Sequence, residues 1–201
     1  MPSSQRISKT FAACKAEGRP ALVAYLTAGD PSPAHTAEIA FALERGGVSI
    51  LELGVPFSDP IADGPVIQAA SDRALRAGTN VAKVLDIVSA IRAKSEIPII
   101  LFSYLNPLLR YGFDALCAEA AKRGVDGCLF TDLSVEEAEE SVEVLRRHGL
   151  DTVFLAAPTS TDRRLKLVAE YSSGFVYVVS RTGVTGVQET VQSGVAPLVQ
   201  R

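Results

Sequence analysis

The chain has 201 residues, 47% hydrophobic and 21% charged, which suits one substantial globular core and excludes a disordered segment. A formal net charge of -3 supplies no basic footprint for nucleic acid, and no apolar run reaches the ~18 residues of a membrane span. The opening Met1-Pro-Ser-Ser-Gln-Arg lacks the apolar stretch of a signal peptide, so a soluble, cytoplasmic protein with a single domain over residues 1–201 is expected.

Short apolar runs without polar alternation, as in strands buried on both faces, begin near Ala21, Val48, Ile97, Asp126, Asp151 and Gly174. The interval from Val48 to Ile97 is the longest and holds an extra helical segment, roughly Val66 to Ala77. Amphipathic stripes lie between the strands: Val81, Val84, Leu85, Val88 and Ile91; then Phe113, Leu116, Cys117, Ala120 and Ala121; then Val135, Ala138, Val142 and Leu145. Ser134 followed by Glu137 reads as a capping box, and Gly124, Gly149 and Gly174 as helix stops before the next strand. Such alternation implies α/β architecture with a parallel sheet, either a barrel or a doubly wound sheet. No Gly-x-Gly-x-x-Gly follows the first strand, which weighs against a dinucleotide fold.

Cys14, Cys117 and Cys128 are scattered and odd in number, and His35 and His148 lie far apart in sequence, so neither metal nor thiol chemistry is expected. The cysteines read as small apolar residues, Cys117 in a helical stripe and Cys128 in a strand.

The second strand runs into Glu52-Leu-Gly-Val-Pro-Phe-Ser-Asp-Pro-Ile-Ala-Asp63-Gly-Pro65, a loop stiffened by Pro56, Pro60 and Pro65. An acid inside the apolar run around Glu52, at the strand's C-terminal end, must be desolvated or paired, which makes it the first candidate for an acid-base group. Asp59 and Asp63 serve equally well, on pattern alone, as turn formers or as site residues. The other strand ends carry Tyr25 to Pro31, Ser103 to Pro107 with Tyr104 and Asn106, Thr131-Asp132, and Ser180 to Gly183. In a barrel all of these converge with Glu52 on one mouth. Tyr104, Asn106 and Asp132 fit either substrate contact or mutual scaffolding. The polar, glycine-hinged stretch from Arg181 to Gly194 has the composition of a mobile lid or of an ordinary connection.

The fourteen residues from Glu52 to Pro65 resemble the signature of the tryptophan synthase α subunit family. The similarity continues through Ala21 to Pro31, Phe102 to Pro107, Phe130 to Glu137 and Ser180 to Gly186. The resemblance implies a (β/α)8 TIM barrel with a helix ahead of the first strand, here around Ser4 to Glu17. It also implies a lyase of tryptophan biosynthesis that cleaves indole-3-glycerol phosphate to indole and glyceraldehyde 3-phosphate. It assigns proton transfer to Glu52, acceptance of the indole N–H to Asp63, and an active-site tyrosine to Tyr177. The lid would be ordered by Thr185 against Asp63, and Gly186 would offer one backbone amide to the phosphate. With Tyr25, Tyr104 and Asp132, these make up the expected substrate-binding set. No cofactor is implied in this chain; pyridoxal phosphate belongs to the family's β subunit, the expected partner in an α2β2 heterotetramer, which Asp59 and Pro60 would approach.

A barrel of this type has eight strands and typically about 250 residues, whereas six strand-helix units are counted before Arg201. The expected remainder includes the turns that hold the substrate phosphate. The 201 residues alone are therefore expected to show no saturable cleavage and to elute as something other than a compact monomer. The alternatives are a non-catalytic partial barrel that binds or regulates a β subunit, and a stand-alone lyase that releases free indole.

Overall fold

The computed structural model of the chain describes residues 5–180 and 195–200. Six strands, β1 (Val23–Thr27), β2 (Ile50–Gly54), β3 (Ile99–Ser103), β4 (Gly127–Phe130), β5 (Asp151–Ala156) and β6 (Phe175–Val178), form one parallel sheet in the order β1-β2-β3-β4-β5-β6. All six begin within two residues of the positions expected from the apolar runs. Sequential order has no point at which the strand direction of growth reverses, so the winding is that of a barrel wall and not of a doubly wound sheet. Right-handed crossovers that all advance the same way put their helices on the same side of the sheet.

The helices are α1 (Arg6–Ala16), α2 (Pro33–Arg45), α3 (Pro65–Arg76), α4 (Val81–Arg92), α5 (Leu105–Tyr111), α6 (Phe113–Arg123), α7 (Glu139–Arg147), α8 (Asp162–Tyr171) and α9 (Val195–Gln200). Local chemistry sets several starts: Pro33 and Pro65 occupy first-turn positions, and the Asn80 and Thr161 side chains accept from Lys83 N and Arg164 N. The expected N-terminal helix and the extra helix between β2 and β3 are α1 and α3.

Two layers of core follow from strand alternation. Leu51, Leu53, Ile99, Leu101, Cys128 and Phe130 pack outward against Val84, Leu85, Val88, Ile91, Leu116, Cys117 and Ala120 of the helices. Ile50, Ile100, Leu129 and Val153 point the other way, joined by Val23, Phe102, Leu155, Phe175 and Tyr177, and by Ile7 and Phe11 of α1. Helix α1 thus lies against the inner face, with Phe11 edge-on to Phe175 at 5.6 Å.

Three expectations need correction. The stripe from Val135 to Leu145 is buried at all four positions, but its helix is broken: a 3-10 turn at Val135–Glu137 precedes α7. The capping box is not made, because Ser134 Oγ donates to Glu136 Oε2 at 2.7 Å and Glu136 is itself gripped by Arg164 at 2.8 and 2.9 Å. Gly124 and Gly149 do follow their helices with positive φ (93° and 73°), whereas α8 ends through extended Ser172 ahead of Gly174. After β3, Leu105–Tyr111 form α5, an element not anticipated from the sequence, with Pro107 tolerated in its first turn, where its missing N–H leaves no bond unmade.

Below β3 and β4 an ion cluster joins α1, α4 and the start of β4. Asp126, fully buried, accepts from Arg6 and Arg92 at 3.0 Å each and from Ile99 N at 2.8 Å, while Arg92 also donates to the carbonyls of Ser95, Ile97 and Gly124. Removing one partner leaves buried charge uncompensated, so Asp126→Ala should lower stability by about 3–5 kcal/mol in urea unfolding. A loss below about 1 kcal/mol would show that solvent replaces the carboxylate there.

Candidate active site

Glu52 is the third of the five residues of β2, on the inner face, in register with Tyr25 of β1 and Ile100 of β3. The expectation that it sits at the strand's end is corrected by two residues. That shift matters, because a mid-strand side chain is enclosed by both neighbouring strands. Glu52 is only 4% exposed, and its Oε1 is buried with no hydrogen-bond partner among the described residues. Burial raises its pKa from the usual 4.5 to about 7.

The neighbours are phenols and aromatic rings. Tyr25 stacks edge-on against Phe102 at 5.2 Å, accepts a long 3.4 Å bond from Thr27 Oγ1, and is pushed up to about 12 chiefly by burial. Its ring tip occupies the space that a Cβ on residue 54 would take, 2.1 Å from the Tyr25 oxygen, so glycine is required at Gly54. Tyr177 of β6 lies on the same face, and its pKa is raised by burial and then by the charge of Glu52.

Asp63 reaches this region from the loop between β2 and α3. It is 7% exposed, and burial raises its pKa against the opposing effect of a hydrogen bond from Tyr104. Tyr104 Oη donates to Asp63 Oδ2 at 3.3 Å and accepts from Ala62 N at 2.8 Å, while Gln68 Nε2 donates to the Asp63 carbonyl at 2.7 Å. The Tyr104 ring lies 5.2 Å from that of Phe57 in the same loop. Asp132 is exposed, and its Oδ1 accepts from Leu105 N at 2.8 Å. Asn106 lies in α5. Thr185, Gly186 and the whole stretch from Arg181 to Gly194 lie outside the described residues.

The charges of Glu52, Asp63 and Tyr104 all act on the Tyr25 hydroxyl and that of Glu52 acts on Tyr177, so the five side chains border one inner region, in which burial raises the Glu52 pKa to about 7. Phe57 and Phe102 were missed from the sequence. Strand phase pointed to Phe102, which shares its face with Ile100, the residue in register with Glu52. Among the described residues no cluster of three or more His, Cys, Asp or Glu is placed to hold a metal ion, and no helix is long and apolar enough to cross a membrane. All three cysteines are buried and unbridged, and His148 faces Asp114 at 3.0 Å.

The raised Glu52 pKa has a consequence for stability that needs no substrate. Between about pH 4.5 and 7 the folded chain holds a proton that the unfolded chain releases, so this carboxyl's contribution is full below pH 4.5 and is lost as pH rises through 7. Glu52→Gln removes that loss. Relative to the parent, the variant should gain on the order of 3 kcal/mol between about pH 4.5 and pH 8 in urea unfolding. An unchanged difference at the two pH values would mean that the Glu52 pKa is not raised.

A family model described as "Tryptophan synthase alpha chain" matches residues 11–201. The tryptophan synthase alpha chain of Solibacter usitatus (strain Ellin6076) is 64% identical over 195 residues, which are 97% of this chain and 73% of that protein. That of Geotalea uraniireducens (strain Rf4) is 48% identical over 98% of this chain and 73% of its own length. Among solved structures, Mycobacterium tuberculosis tryptophan synthase superposes with a TM-score of 0.90 at 38% identity, covering all of this chain and 77% of its own. Tryptophan synthase subunit alpha of Legionella pneumophila str. Paris gives 0.85 at 40% identity, over 87% and 67% of the two chains. The six parallel strands are thus a curled part of a (β/α)8 barrel wall, and the chain belongs to the tryptophan synthase alpha chain family.

Proposed function

We propose that the chain carries the retro-aldol machinery that splits indole-3-glycerol phosphate into indole and glyceraldehyde 3-phosphate. The observation that carries this reading is Glu52: a carboxyl enclosed on the inner face, with an oxygen that has no partner among the described residues and a pKa of about 7. Cleavage moves two protons. The glycerol hydroxyl that becomes the aldehyde loses one, and indole C3 gains one so that the ring can leave with the bonding electrons. A carboxyl titrating near neutrality exists in both forms at working pH, which suits a group that must give and take protons. Glu52 is assigned that work.

Protonation at C3 spreads positive charge onto the indole ring and its nitrogen. Asp63, assigned as acceptor of the indole N–H, supplies a fixed negative charge in a setting shielded from water, where its effect is strengthened. Tyr104 holds that carboxylate by its 3.3 Å bond. Tyr25, Phe102 and Tyr177 offer flat apolar walls for the ring. Thr185 and Gly186 are assigned to lid ordering and phosphate contact on the family resemblance alone.

No cofactor is needed for these steps, and we propose none in this chain. The proposed partner is a tryptophan synthase β subunit, with its pyridoxal phosphate, in an α2β2 assembly. Support for a partner face comes from the loop that carries Asp63: Ser58 and Asp59 are held together at 2.5 Å on its exposed rim, and Ile61 is 82% exposed. Incubation with indole-3-glycerol phosphate, with and without β subunit, tests the reading. Indole release that saturates with substrate is the expected result when these residues stand in a complete eight-stranded barrel, the background of every cleavage measurement below; the 201 residues alone are expected to show none. Binding of β subunit without any indole release would favour a purely regulatory chain.

A further inference from the structure

Asp132 has the composition of a site residue but the placement of a support. It follows β4, is exposed, and spends Oδ1 on the backbone of Leu105, 2.8 Å away and far off in sequence. Leu105 N is the first amide of α5, one of the donors that a helix cannot satisfy internally. The residue before it is Tyr104, 4% exposed and extended (φ −79°, ψ 154°), at which the chain turns from β3 into α5. Where α5 begins fixes where the Tyr104 hydroxyl lands. That hydroxyl accepts from Ala62 N and donates to Asp63 Oδ2, so it fastens both the backbone and the carboxylate of the loop.

We infer that Asp132 is a positioning residue that holds Asp63 in place through Leu105 N–H and Tyr104, without touching substrate. The catalytic half of this inference rests on the role given to Asp63 above; the structural half does not. Three consequences separate it from direct substrate contact. An acceptor oxygen is needed at residue 132 but a charge is not, so Asp132→Asn should behave as the parent where Asp132→Ala does not. The effect must pass through the Tyr104 hydroxyl, so it should vanish once that hydroxyl is gone. It must also reach the Ala62 amide in the absence of any ligand.

Amide hydrogen exchange followed by NMR, without substrate, is the first arm. Asp132→Ala should speed exchange at Ala62 by roughly three- to tenfold, the range of one lost hydrogen bond, and Asp132→Asn should leave it near the parental rate. Steady-state cleavage is the second arm. Asp132→Ala should lower kcat/KM by a similar roughly three- to tenfold, and should add nothing on a Tyr104→Phe background. Unchanged Ala62 exchange in Asp132→Ala would overturn the inference. So would an Asn variant as impaired as the Ala variant, or losses that multiply with Tyr104→Phe, because each requires a charge or a contact independent of Tyr104. Full activity in Asp63→Asn would instead remove the role proposed for Asp63, while the exchange result would still decide whether Asp132 fastens the loop.

Discussion

Glu52→Gln should reduce indole release by about 10²–10⁴-fold, the usual scale of lost general acid-base catalysis. Glutamine has nearly the same shape and fills the same place in β2, between Tyr25 and Ile100, so packing is retained and proton exchange is lost. The loss should fall on kcat, because the role proposed for this group is on the bonds being broken and made and not on the remote parts of the substrate. Turnover within a few-fold of the parent would remove Glu52 from the chemistry. The shift in the pH dependence of stability expected for the same variant makes the pair of measurements more telling, since a variant that unfolds cooperatively with that pH dependence and is inactive does not owe its inactivity to misfolding.

Asp63→Asn should cost about 10²-fold or more in kcat. The amide oxygen can still accept the indole N–H and the Tyr104 hydroxyl, which donates to this side chain. What disappears is the negative charge that opposes positive charge on the protonated ring. Substrate affinity should change little, as the charge is called for only when C3 gains its proton. Near-parental kcat would show that a neutral acceptor suffices and would sink the charge-stabilising role.

Much of the scaffold was legible in the sequence because buried parallel strands have a plain signature. Apolar runs such as Ile-Ile-Leu-Phe at 99–102 and Gly-Cys-Leu-Phe at 127–130 admit few other readings. Glu52 was legible for the converse reason, as an acid where such a run tolerates none without a function or a partner. The break after Glu137 was hidden, because an unbroken apolar stripe continues through the 3-10 turn; Arg164, distant in sequence, had already claimed the acidic residue beside the supposed cap. Helix α5 was hidden by Pro107, which reads as a breaker unless the helix start is known to lie at Leu105. Phe57 and the support given by Asp132 depend on contacts across distant parts of the chain, to Tyr104 and Leu105, that no local spacing encodes.

The role of Glu52 rests on a carboxyl kept protonated by its surroundings, and this can be read directly. Following the side-chain carboxyl carbons of 13C-labelled protein by NMR as pH is raised, with Glu52→Gln to assign the resonance, gives the titration midpoint of this one group. The expected midpoint is about 7, displaced from the usual 4.5 by burial. A midpoint at the usual value would mean that the side chain is solvated or paired, and would contradict its assignment as the group that gives and takes protons at neutral pH.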